Sequence, residues 1–130
     1  MGHLGLTPQS VNQLGGFKVQ GKEKKDHDQI YEEALQLEKA GAFSLVLECV
    51  PAPLAKDISK ALKIPTIGIG GGVDCDGQVL VLQDMLGMNK DFHPKFLRTY
   101  FNGYETLKAA FNHYHEDVVA GKFPSEQESY

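Results

Sequence analysis

Short aliphatic runs separated by stretches of helical periodicity constrain this chain more than any other feature. Phe43-Ser44-Leu45-Val46-Leu47 is too short for a helix and is apolar on both parities, as strands covered on two faces are. Ile64-Pro65-Thr66-Ile67-Gly68-Ile69 repeats that signature, and Met1 to Leu6 is a shorter version ending in Thr7-Pro8. Between the first two runs in chain order, Met1 to Leu6 and Phe43 to Leu47, Gly15-Gly16 to Lys25 reads as a polar loop. From Asp28, Ile30, Ala34 and Leu37 with Glu32, Glu33, Gln36 and Lys39 opposite predict an amphipathic helix stopping near Gly41. Between the second and third, Pro51 and Pro53 suit a first helical turn, and Leu54, Ile58 and Leu62 supply its core face. Strand and helix alternate as a parallel α/β sheet requires.

The pattern strains after Ile69. Val79-Leu80-Val81-Leu82 is a fourth strand-like run, yet only six residues, Val73 to Gln78, separate it from Gly70-Gly71-Gly72. A parallel crossover ordinarily takes about a dozen residues, so either this connection is abnormal or one run is not a strand. Two helical stretches close the chain, Lys95 to Phe101 and about Glu105 to Ala120, the second with Leu107, Phe111, Tyr114 and Val118 in one stripe. Four strands are half of an eightfold barrel, which typically takes about 250 residues. At 130 residues the chain fits a small open sheet or a segment of something larger.

Composition excludes several functions. With 13 basic against 17 acidic side chains the net charge is −4, which disfavours nucleic-acid binding through phosphate neutralisation. No run of 18 apolar residues and no signal-peptide pattern at Met1 lead to the expectation of a cytoplasmic protein that does not use a membrane. Cys49 and Cys75, without motif spacing, are expected as reduced thiols.

Glu48 stands out chemically. It follows an apolar run at the end where barrels place their chemistry, and a carboxylate between Leu47, Cys49 and Val50 suits a general base. An acid stabilised by the dipole of the following helix explains it as well. The charge of Glu48 disfavours a thiolate at Cys49, so a nucleophilic role there is not expected. His3 lies on the first run, as a lining residue of a barrel mouth or as a satisfied core histidine. Gly68, Gly70, Gly71 and Gly72 suit a phosphate cradle or, more simply, close chain approach, since Val73 stands where a fingerprint glycine belongs. Asp74 and Asp76 lack the rest of a calcium loop and fit an Asp-Gly turn. His113 and His115 point to different faces of a helix, against metal binding. Lys18, Lys22, Lys24 and Lys25 read as a solvated basic loop.

Five blocks in order carry a resemblance: Gly2-His3-Leu4-Gly5-Leu6-Thr7-Pro8-Gln9, Gly15-Gly16-Phe17-Lys18-Val19-Gln20-Gly21, Leu45-Val46-Leu47-Glu48-Cys49-Val50-Pro51, Ile64-Pro65-Thr66-Ile67-Gly68-Ile69-Gly70 and Asp76-Gly77-Gln78-Val79-Leu80-Val81. Together they resemble ketopantoate hydroxymethyltransferase, specifically the C-terminal half of that family. The resemblance implies half of a (β/α)8 TIM barrel in residues 1–130, as one segment lacking its N-terminal half, and a homo-oligomer, usually a decamer. It implies hydroxymethyl transfer from 5,10-methylenetetrahydrofolate to 3-methyl-2-oxobutanoate, giving 2-dehydropantoate on the way to pantothenate. Glu48 then matches the carboxylate that takes the C3 proton of the oxo acid, His3 lines the substrate pocket, and Ile69, Val79 and Val81 form its apolar wall. A folate glutamate tail is an alternative use of the lysine cluster, beside the plain solvated loop. The Mg2+ of the family is held by paired aspartates in the missing half, so no metal ligand is expected in this chain. Three outcomes stay open: a half-enzyme working beside a complementary N-terminal half and inactive alone, a non-catalytic truncated fragment, or a related barrel enzyme acting on another 2-oxo acid.

Overall fold

Leu45 and Leu47 are wholly buried, whereas Val46 and Glu48, alternating with them, are only partly covered. Thr66 and Gly68 against Ile67 and Ile69 repeat the contrast. Successive strand residues face opposite sides, so one face of this sheet carries the core and the other is open. The computed structural model describes residues 1–13 and 16–130; Leu14 and Gly15, the latter the first residue of the Gly15–Gly21 motif, lie outside the described residues. The chain divides into two compact units, Met1–Leu80 and Val81–Tyr130.

The first unit holds four parallel strands in the order β1-β2-β3-β4: β1 (Gly2–Gly5), β2 (Leu45–Glu48), β3 (Thr66–Ile69) and β4 (Gly77–Gln78). Helices α1 (Lys24–Lys39) and α2 (Ala52–Ala61) make the first two crossovers. Helix α1 begins four residues before the expected Asp28, so Lys24 and Lys25 belong to its first turn and not to the preceding loop. Ile30 and Ala34 of α1 and Leu54, Ala55 and Ile58 of α2 close over Leu45, Leu47 and Val50. This four-stranded α/β arrangement is the partial TIM barrel expected from the sequence.

The short β3 to β4 connection is possible because β4 is only two residues long and opens opposite Ile67. The chain has to run back by only two strand residues, roughly 7 Å, which needs no helix. It does so in close contact with α2. A Cβ on Gly72, where φ is +86°, would sit 2.5 Å from that of Ala52, so close approach is what this glycine provides. Asp76 then starts the strand: its Oδ2 accepts the Thr66 N–H at 2.8 Å and the Thr66 hydroxyl at 3.0 Å. Thr66 Oγ1 also lies 2.7 Å from Ser59 Oγ on α2, which satisfies a wholly buried hydroxyl.

That clamp corrects the reading of Val79–Leu82 as the fourth strand. Pairing starts directly after Asp76, so Gly77 and Gln78 form β4, and the valines come after it. Val79 prolongs the ladder by one bond, its N–H donating to Gly68 O at 3.0 Å. Leu82 already opens a short helix, α3 (Leu82–Met85).

The second unit also holds α4 (Gly103–Val119), which the expected span from Glu105 to Ala120 nearly matches. Lys95 to Phe101 is not helical. After one turn closed by Leu97 N–H on Pro94 O, the backbone pairs elsewhere: the N–H groups of Tyr100, Gly103 and Tyr104 donate to Met85, Leu86 and Gly87. The Tyr100 bond takes the place of a local one that a helix would make. Leu107, Phe111, Tyr114 and Val118 of α4 are exposed, Phe111 to 68%.

Candidate active site on the open face of the sheet

The parallel register lines up two rows of residues on the open face. His3, Val46, Ile67 and Gly77 form one, and Gly5, Glu48 and Ile69 form the next toward the carboxyl ends of the strands. Glu48 is thus the last residue of β2, at the end where parallel barrels gather their functional groups. His3 reaches across from β1 and places Nε2 3.0 Å from Glu48 Oε2. The two side chains stay 33% and 18% exposed, so the pair is accessible from the open face.

Backbone geometry around Glu48 is unusual on both sides. Cys49 has φ +50°, a left-handed conformation that costs a side-chain-bearing residue about 1–2 kcal/mol. Its N–H donates to Ile69 O at 2.8 Å and its C=O accepts from Gln20 N–H at 2.9 Å, so neighbouring segments hold the strained turn in place. Opposite Glu48, Gly5 has φ +89°, and a Cβ there would lie 2.1 Å from the Glu48 carbonyl oxygen. Leu6 N–H donates to that same oxygen at 2.8 Å. Burial pushes the Cys49 thiol pKa up, and the adjacent Glu48 charge pushes it further, which keeps the sulfur protonated and unreactive.

The remaining candidates are distributed unevenly. Ile69 is the register partner of Glu48 and only partly buried, so it borders the carboxylate. Val79 follows β4 and is 45% exposed; by alternation it falls on the face of Gly77 and Ile69. Val81 is 51% exposed and belongs to the second unit. A cleft of about 690 Å³ runs from His3 toward the start of α1, lined by Thr7, Gln20, Asp26, Gln29 and Glu33 as well. Glu48 does not line it, and the cleft meets the pair only through His3. Sequence reasoning singled out His3 and Glu48 separately but missed their contact and the strain at Cys49, neither of which leaves a trace in residue spacing.

Magnesium is tested by the donors present. A hard cation of this kind draws on one or two free carboxylates besides water and substrate oxygens. Glu48 is the one carboxylate on the four strands, and its Oε2 is bound to His3. Among the described residues no group of three or more His, Cys, Asp or Glu side chains is placed to hold a metal ion. These residues do not fit a magnesium site.

Known proteins give the chain its relatives. A sequence model of the ketopantoate hydroxymethyltransferase family matches residues 1–126. The chain is 70% identical over all of its 130 residues to a 3-methyl-2-oxobutanoate hydroxymethyltransferase of Bdellovibrio bacteriovorus, covering 49% of that protein. It is 53% identical to the enzyme of that name from Francisella tularensis subsp. tularensis (49% covered) and 56% to that from Enterococcus faecalis (47% covered). The chain spans about half the length of these curated relatives and matches their C-terminal half. With the family match running through both units, this chain belongs to the ketopantoate hydroxymethyltransferase family.

Proposed function

We propose that this chain carries the general base of a hydroxymethyl transfer whose other groups lie in the remaining half of its relatives' length. The reading is supported above all by Glu48, a partly exposed carboxylate ending β2 on an otherwise apolar strand face. Glu48 takes the C3 proton of 3-methyl-2-oxobutanoate; the resulting enolate carbon bonds to the methylene carbon of 5,10-methylenetetrahydrofolate as one of its C–N bonds breaks, and water replaces the second nitrogen. With one water consumed, the products are 2-dehydropantoate and tetrahydrofolate, and the reaction feeds pantothenate synthesis. A base positioned within hydrogen-bond reach contributes typically about 10²–10⁴-fold to rate. Ile69 and Val79 give the dimethyl end of the oxo acid an apolar wall, and His3 borders the same site. Enolate formation needs electrophilic assistance at the keto oxygen, and no residue of this chain is assigned that task. It falls to the complementary half, as does the magnesium implied by the family.

The test is reconstitution. The chain is mixed with the N-terminal half of a close relative and assayed for 2-dehydropantoate. Turnover is expected from the mixture and from neither half alone, and Glu48→Gln is expected to lower it by about 10²–10⁴-fold. Loss within about threefold, well short of a general base's contribution, rules Glu48 out as the base.

A further inference from the structure

Resting on the reading of Glu48 as the base, we infer that His3 is its positioning residue: Nε2 pins Oε2 of Glu48 so that Oε1 is the oxygen presented to the substrate proton. An ionised carboxylate only accepts hydrogen bonds, so across the 3.0 Å contact the proton sits on Nε2 of His3. Among the described residues Oε1 has no hydrogen-bond partner, and His3 is the side chain that restrains the carboxylate. A glutamate on an open face otherwise samples several rotamers, and ordering it costs free energy that a reaction has to supply.

The register explains why the contact forms. His3 pairs with Val46, two residues before Glu48, so the imidazole has to reach diagonally toward the carboxyl end of β2. The position directly opposite Glu48 is Gly5, which has no side chain to block that reach. The left-handed Cys49 follows immediately and anchors the backbone of the same carboxylate to Ile69 and Gln20. Side chain and main chain of Glu48 are therefore each held by a neighbouring strand or loop.

The test has two arms. In the intact chain labelled with 15N-histidine, NMR is expected to show a downfield, hydrogen-bonded Nε2–H proton of His3 that is lost in Glu48→Ala, with the amide spectrum reporting folding separately. In the reconstituted enzyme, His3→Ala is expected to lower kcat by about 10²-fold with the KM for the oxo acid unchanged, the cost of a misplaced reacting group. His3→Gln, whose amide N–H can reach the same oxygen, is expected to recover most of that loss. A resonance that persists in Glu48→Ala overturns the pairing. A raised KM at unchanged kcat in His3→Ala overturns the positioning role in favour of direct substrate binding. A wild-type mixture without turnover overturns the proposed function and the positioning role that rests on it, and the NMR arm still decides whether the pair exists.

Discussion

Cys49 shows how much a single backbone angle matters here. At most positions glycine is less stable than alanine by about 0.5–1 kcal/mol because it loses more freedom on folding. At φ +50° the order reverses, since alanine pays the left-handed penalty and glycine does not. Cys49→Gly is therefore expected to be more stable than Cys49→Ala by about 1 kcal/mol in urea unfolding, and the opposite order would contradict the strained turn. Asp76 provides a second residue-scale prediction. Hydrogen bonds from the Thr66 backbone N–H, then from its hydroxyl, hold the Asp76 carboxyl pKa below the usual range. A depressed folded pKa contributes stability above the unfolded value of about 3.9 and loses it as pH falls through the folded value. The stability deficit of Asp76→Ala is thus expected to be full at neutral pH and to shrink in acid, as read from urea midpoints. A deficit that stays constant with pH would mean the carboxylate charge is not what holds β4.

Helices α2 and α4 differ in what their apolar faces do. Helix α2 buries Leu54, Ala55 and Ile58 completely, and α1 adds Ile30 and Ala34 to the same core. Leu54→Ala is expected to cost about 2–5 kcal/mol, from lost transfer free energy and the cavity left behind. The stripe on α4 has the same periodicity in sequence, yet its members are exposed. Phe111→Ser is accordingly expected to change the stability of the chain by no more than about 0.5 kcal/mol. Equal costs for the two variants in the same denaturant series would contradict this division between a core helix and an uncovered one. Periodicity reveals an amphipathic face but not what covers it, which is why these helices look alike in sequence.

At the scale of the whole molecule, the sheet of the first unit is closed by helices on one face, and on the other it carries a polar pair that is partly exposed. The four strands supply one carboxylate, already hydrogen-bonded, and isothermal titration of magnesium into the chain is expected to show no tight stoichiometric binding. Tight binding at one equivalent would overturn the conclusion that these residues do not fit the ion. Strands β1 and β4 end the sheet, and each has a single neighbour. The chain spans about half the length of its curated relatives.

Much of this was legible in the amino-acid sequence, for a local reason. Apolar runs and helical periodicity are set by neighbouring residues, so β1 to β3, α1, α2 and α4 could be read, and ordered motifs carried the family. Glu48 was legible because its place at the end of an apolar run is itself a sequence property. Tertiary structure decided the rest. β4 is too short for any periodicity and exists because Asp76 clamps Thr66, ten residues earlier. Lys95 to Phe101 follows a helical pattern, but Tyr100 finds its backbone partner at Met85. His3 and Glu48 meet across 45 residues because β1 and β2 align in one register and Gly5 leaves room between them. Such contacts depend on how distant segments align, and no local pattern encodes that alignment.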